Sequence, residues 1–92
     1  MFKVFEVSGY SLYPLLKEAE RIFCIKVFSF SSLKPLDIVV FYKEPQGLMI
    51  KQIKSIDQEQ YFVVGTNADS IDSRDFGTIS KNEIKYKLLF KF

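Results

Sequence analysis

Short apolar runs broken by turn residues, rather than one helical stripe, organise this chain. FKVFEV, RIFCIKVFSF, DIVVFY and QYFVVG are brief, rich in β-branched and aromatic residues and bounded by turn formers, which predicts strands. LMIKQIKSI reads as another. Met49, Lys51 and Ile53 fall on one of its faces, and Leu48, Ile50, Gln52, Lys54 and Ile56 on the other. EIKYKLLFKF alternates with a period of two: Ile84, Tyr86, Leu88, Phe90 and Phe92 share one face, and Lys85, Lys87 and Lys91 the other. Those lysines read as a solvated face that also discourages edge-to-edge aggregation. The only helix candidate is short, around YPLLKEAER. SSLKPL, KEPQG and GTNADSIDSRDFG carry the Ser, Pro, Gly, Asn and Asp of loops. With no repeat and no linker, the pattern predicts one domain over residues 1–92, all-β apart from one short helix. A coiled sheet or partly open barrel is the expected architecture.

Composition removes several kinds of chemistry. The 92 residues are 48% hydrophobic and include ten phenylalanines, enough for a modest core without disulfides or metal. A net charge of +2, scattered along the chain, is no nucleic-acid footprint, and the aromatics sit in strand patterns rather than over a basic groove. Histidine is absent, so no Ser-His or Cys-His pair and no zinc site of the usual type can form. The single cysteine, Cys24, lies in the apolar run IFCIKVF and reads as a buried structural thiol. The four glycines lie far apart and none leads into Lys-Ser or Lys-Thr, which excludes a phosphate-binding loop. Asp69, Asp72 and Asp75 stand three apart in a loop, unlike the alternating ligands of a calcium site. Neither metal nor cofactor is expected. No run of about 20 apolar residues and no signal peptide are found, so a cytoplasmic location is expected.

A serine and a lysine remain. VSGYSLYPLL, residues 7–16, is either a strand end turning a corner or a loop that holds Ser11 out to a substrate. Without histidine a nucleophile needs another activator, and lysine is the obvious one. Lys51 shares its face with Met49 and Ile53, where desolvation disfavours the ammonium. Acting as a base at neutral pH needs a drop of roughly 3 units from the free value near 10.4, about 4 kcal/mol. The same pattern also fits a lysine whose stem packs and whose head snorkels to water.

Three segments, in order, resemble those of the type I signal peptidases, serine–lysine proteases with an all-β catalytic fold. SGYSLYP is similar to the box Gly-x-Ser-Met-x-Pro; LDIVVFYKEPQGLMIKQI to a Gly-Asp-Ile-Val-Val-Phe strand followed by an Ile-Lys-Arg strand; GTNADSIDSRDFG to Gly-Asp-Asn…Ser-x-Asp-Ser-Arg-x-Phe-Gly. The third is the most specific. The resemblance implies Ser11 as nucleophile and Lys51 as general base, with the Ser11 N–H in the oxyanion hole. It implies that Ser70 orients the lysine and that Asp72 and Arg74 brace the loop completed by Phe76 and Gly77. It further implies cleavage after small residues, in shallow pockets near the strands before Ser11 and around DIVVF, with Tyr10 and Leu12 beside the cleft. Gly9 stands where some relatives carry a serine that serves the oxyanion hole.

Several positions depart from the pattern. Leu12 replaces a methionine, Leu15 a threonine, and Thr66 the aspartate of Gly-Asp-Asn. Ala19-Glu20 and Leu36-Asp37 stand where Gly-Asp turns are usual, and the third box is one residue short. No membrane anchor is recognised. The expectation is therefore a soluble serine endopeptidase that processes a protein or peptide precursor. The model for it is the small anchorless relatives, such as the maturation protease of nickel-type superoxide dismutase. Membrane-surface contact is compatible with this reading, and the oligomeric state is left open. Two alternatives stand beside it: an inactive binding module of the same fold, and a regulatory peptidase like the self-cleaving repressors.

Overall fold

A computed structural model describes residues 1–92. Seven strands form: β1 (Phe2–Glu6), β2 (Arg21–Lys26), β3 (Ile38–Lys43), β4 (Gly47–Asp57), β5 (Gln60–Val64), β6 (Ile79–Ser80) and β7 (Ile84–Lys91). They bond in the order β1-β2-β7-β3-β4-β5-β6 as one sheet, every pair antiparallel, with β1 and β6 at open edges. The mostly-β expectation holds, and the sheet is not closed into a barrel.

Each strand sits where a compact apolar run was read, because half-buried pleats favour these residue types. The β4–β5 hairpin turns on Gln58 and Glu59, both at positive φ (50° and 64°), which matches the twist that a two-residue turn must supply. Burial follows strand parity. Val39, Phe41, Ile53, Tyr61, Val63, Ile79 and Ile84 form one buried cluster. Val7, Leu12, Leu16, Ile22, Cys24 and Val40 form a second, against which Phe5, Ile38, Ile50, Tyr86 and Leu88 pack. Alternate residues of β3 go to different clusters, Val39 and Phe41 to the first and Val40 to the second, so the centre of the sheet is covered on both faces.

Two expectations are corrected. The predicted single apolar face of the last strand is broken by bulges. Val40 pairs with Tyr86 but Phe41 with Ile84, and Phe23 pairs with Phe90 but Cys24 with Leu88, so Lys85 and Leu89 are each extra residues. Each extra residue reverses the alternation. Ile84 therefore enters the first cluster and Tyr86 and Leu88 the second, while Phe90 turns outward to stack on Phe23, 5.1 Å between ring centroids. The helix expected around YPLLKEAER is also absent. Residues 10–16 form turns, closed by Tyr13 N–H to the Tyr10 carbonyl (3.1 Å) and Leu16 N–H to the Leu12 carbonyl (3.1 Å). Pro14 has no N–H to extend a helix, and the loop is tied to the β5 end instead. The one α-helical turn, α1 (Ser73–Phe76), lies in the third box, and a 3-10 turn spans Lys81–Glu83.

Ala19 (φ 72°) and Leu36 (φ 81°) are both in the left-handed region that favours glycine. Each is held there by its N–H: Ala19 donates to the Val7 carbonyl and Leu36 to the Ile53 carbonyl, both at 2.8 Å. Leu36 is 74% exposed and has little packing to lose. Leu36→Gly is expected to raise stability by about 0.5–1 kcal/mol, read as a higher urea midpoint with an unchanged m-value. A lower midpoint would show that the leucine compensates its backbone strain elsewhere.

Candidate active site

The loop that carries Ser11 is built by burying its flanks. After β1, Val7 N–H donates to the Glu20 carbonyl (2.8 Å), which keeps the outgoing and returning chains paired. Gly9, at φ 87°, makes the corner, and its N–H donates to Glu18 (3.3 Å). Leu12 and Leu16 then plug into the second apolar cluster. Ser11, one residue before that anchor, is half-buried, and neither its hydroxyl nor its N–H has a protein partner. Its carbonyl is held from the far side of the molecule, by Thr66 N–H at 2.7 Å. The Thr66 hydroxyl donates to the Tyr13 carbonyl at 2.5 Å. This close approach requires glycine at position 65, where a Cβ would press into the Ser11 carbonyl and lie 2.5 Å from the Ser70 hydroxyl.

Lys51 lies on β4 opposite Val39, on the Met49/Ile53 face, and is 3% exposed. Its amine forms no ion pair and no hydrogen bond within the protein, and it is not a sealed orphan: Nζ keeps solvent contact in the cavity that Lys51 lines. Desolvation by its surroundings is the largest influence and lowers the pKa below the ordinary lysine value. Asp72 and Asp75 act in the opposite sense and Arg74 reinforces the lowering, so the net direction is downward.

The third box explains why the nearby acids do not neutralise Lys51. Asp72 is wholly buried and fully engaged: it accepts from Gly65 N–H (2.9 Å), Arg74 N–H (2.9 Å) and Arg74 Nε (2.9 Å), and pairs with Arg74 Nη2 (2.5 Å). It caps α1, and Asp75 returns the favour by accepting from Asp72 N–H at 3.1 Å. Burial by itself would raise the Asp72 carboxyl. The Arg74 side chain and the backbone donors of Gly65 and Arg74 outweigh it and hold the carboxyl far below the usual range. Ser70, expected to orient Lys51, donates instead to the Asn67 carbonyl (2.8 Å), with Asp72 at 3.4 Å. Arg74 Nη2 reaches the same carbonyl (3.1 Å). Ser70, Asp72, Arg74 and Asn67 thus form one brace beneath the Ser11 loop.

Ser11 and Lys51 both line one cavity of about 470 Å³, with no hydrogen bond between them. One side of this cleft is the end of β1 and its continuation, Phe5 to Ser8; the other is the start of β4, Leu48 to Lys51, with Ile22, Val40, Gln46 and Ile71 completing it. Both sides are free strand edges. β1 pairs only with β2, and β4 pairs with β5 only from Gln52 onward. Gly9, Ser70, Asp72 and Arg74 lie outside this lining. Neither Tyr10 nor Leu12, expected beside the cleft, lines it: Leu12 is core, while Tyr10 is exposed and packs edge-on against Tyr13. Sequence reasoning missed Gly65 and Thr66 as the clamp on Ser11, and Glu6, Ser8, Gln46 and Ile71 in the wall. The signal available for Thr66 was its place beside an obligatory glycine; for the wall it was only proximity in sequence to Ser11 and Lys51.

Fold and cleft together define a mostly-β protein whose single antiparallel sheet carries a buried lysine in the wall of an apolar cavity. Residues 47–92 match the family described as signal peptidase, peptidase S26, and the chain belongs to that family. The matched half contains Lys51, Ser70, Asp72 and Arg74, whereas Ser11 precedes it. No curated protein matches the chain. No helix is long and apolar enough to cross a membrane.

Proposed function

We propose that the chain is a serine endopeptidase of the signal-peptidase kind that cleaves a protein or peptide precursor, with Ser11 as nucleophile and Lys51 as base. The observation that carries this reading is an unpaired, desolvated lysine sharing one apolar cavity with an unpartnered serine hydroxyl. The substrate lies extended between the free edges of β1 and β4, which offer backbone donors and acceptors on both sides. Neutral Lys51 takes the Ser11 proton as Oγ attacks the scissile carbonyl, and the unpartnered Ser11 N–H receives the developing oxyanion. The Lys51 ammonium then gives its proton to the leaving amine. Water attacks the acyl ester, its proton passing to Lys51; the acyl–Oγ bond then breaks, the carboxyl product leaves, and the Lys51 ammonium returns its proton to Ser11 Oγ. The serine–lysine hydrogen bond forms when substrate excludes water, as catalytic bonds often tighten only in the complex. If the chain touches a membrane, its exposed Phe2, Val4, Phe90 and Phe92 on the β1–β2–β7 half are the apolar surface available.

Wild type, Ser11→Ala and Lys51→Ala, incubated with a diverse peptide library and read by mass spectrometry, test this directly. New termini are expected with wild type alone. Equal cleavage by all three would remove the dyad, and no cleavage by a folded wild type would favour the binding-module reading.

A further inference from the structure

Glu6 is the only acidic residue in the wall of the cleft, and Lys51 the only basic one. The Glu6 carboxylate is exposed and forms no ion pair, although Arg21 stands directly across the strand pair from it. Glu18 adds a second carboxylate at the neighbouring Gly9 corner. The rest of the lining is largely apolar: Phe5, Val7, Leu48, Met49, Ile50 and Ile71. Glu6 is thus the one carboxylate the lining offers to a substrate side chain, and no ion pair within the protein occupies it.

We propose that Glu6 sets the substrate class: the cleft selects precursor segments that place a lysine or arginine beside Glu6 and uncharged residues along the remainder. This rests on the peptidase reading and names what that peptidase prefers. An extended peptide on the β1 edge presents side chains alternately to its two sides, so the preference belongs to one position rather than to basic peptides at large. The charges that act on Lys51 are Asp72, Arg74 and Asp75, not Glu6, so selection at this end proceeds without raising the pKa of the base. An acidic residue at the same position meets repulsion and is disfavoured.

The test is a peptide set with a fixed small, apolar background in which one lysine, norleucine or glutamate is moved along the sequence. It is cleaved by wild type, Glu6→Gln and Glu6→Lys, with Ser11→Ala as blank and circular dichroism confirming that each variant folds. Wild type is expected to favour lysine over norleucine at one position by roughly two- to fivefold in kcat/KM, the range of an exposed ion pair. Added salt should shrink that preference. Glu6→Gln should abolish it, and Glu6→Lys should turn it toward glutamate. Ser11-dependent cleavage with the same profile in all three proteins overturns this inference and leaves the peptidase reading standing. Absence of Ser11-dependent cleavage of every peptide overturns both.

Discussion

Lys51→Met is expected to unfold at a higher denaturant concentration than the wild type at pH 7 while losing activity by about 10³-fold or more. The gain arises because folding buries Lys51 at 3% exposure without giving its amine a partner, whereas methionine fills the same apolar neighbourhood with no charge to desolvate. Replacing a desolvated, partnerless lysine by an apolar side chain of similar length is expected to gain about 0.5–2 kcal/mol. Its pH dependence identifies the cause. The unfolded chain holds the lysine proton up to the ordinary value of 10.5, and the folded chain releases it at lower pH. Between those two values the unfolded state binds more protons, so wild-type stability rises with pH across the window and falls as pH drops through the folded value. The methionine variant has no such window. Its advantage should be full below the folded pKa and close as pH approaches 10.5, as urea midpoints at several pH values would read. A gap that stays constant with pH would mean that packing, not desolvation, separates the two proteins. Wild-type activity should rise with pH through the same folded value, since only neutral Lys51 accepts the Ser11 proton.

Asp72→Ala is the most disruptive single change expected outside the apolar clusters, about 2–4 kcal/mol. It strips the acceptor from Gly65 N–H and Arg74 N–H together and uncaps α1. Arg74 is partly exposed and can turn to water, so the cost lies mainly in the part-buried backbone donors and the lost cap. Gly65 and Thr66 hold the Ser11 loop, and loosening them should displace Ser11 and reduce activity as well. Asp72→Asn, which keeps an acceptor, should lose less. The folded Asp72 carboxyl lies below the unfolded value of 3.8, so its stabilisation is complete above that pH and is lost as pH falls through the folded value. The gap between wild type and Asp72→Asn should therefore be level near neutral pH and narrow in strong acid. Residual activity of either variant should have a lower pH midpoint. Asp72 favours charged Lys51, and Arg74 without its partner opposes it more strongly.

Strand positions were legible because half-buried strands write their environment into local alternation. Met49, Lys51 and Ile53 share a face in β4 as the pattern required. The last strand misled for the opposite reason. Its alternation is broken in sequence only by Leu89 on the lysine face, the residue bulged against β2; Lys85, bulged against β3, carries no such local mark. YPLLKEAER misled because helix propensity is a weak prior, and Leu12, Leu16 and Thr66 fix that loop through long-range contacts. The third box was legible as a motif, yet Ser70 turned toward Asn67 rather than Lys51, a choice set by hydrogen-bond geometry across the loop.

The sequence by itself determined the chemistry that is available. Absence of histidine left serine and lysine as the candidate pair, and the apolar neighbours of Lys51 in its strand set the direction of its pKa. Only the tertiary structure decided that residues 40 apart in the chain line one cavity, that Arg74 engages Asp72, and that β1 and β4 face each other with open edges. The physical reason is range. Burial preference and charge act residue by residue and are written locally, whereas the cleft exists because the sheet order brings together strands whose sequences carry no record of each other.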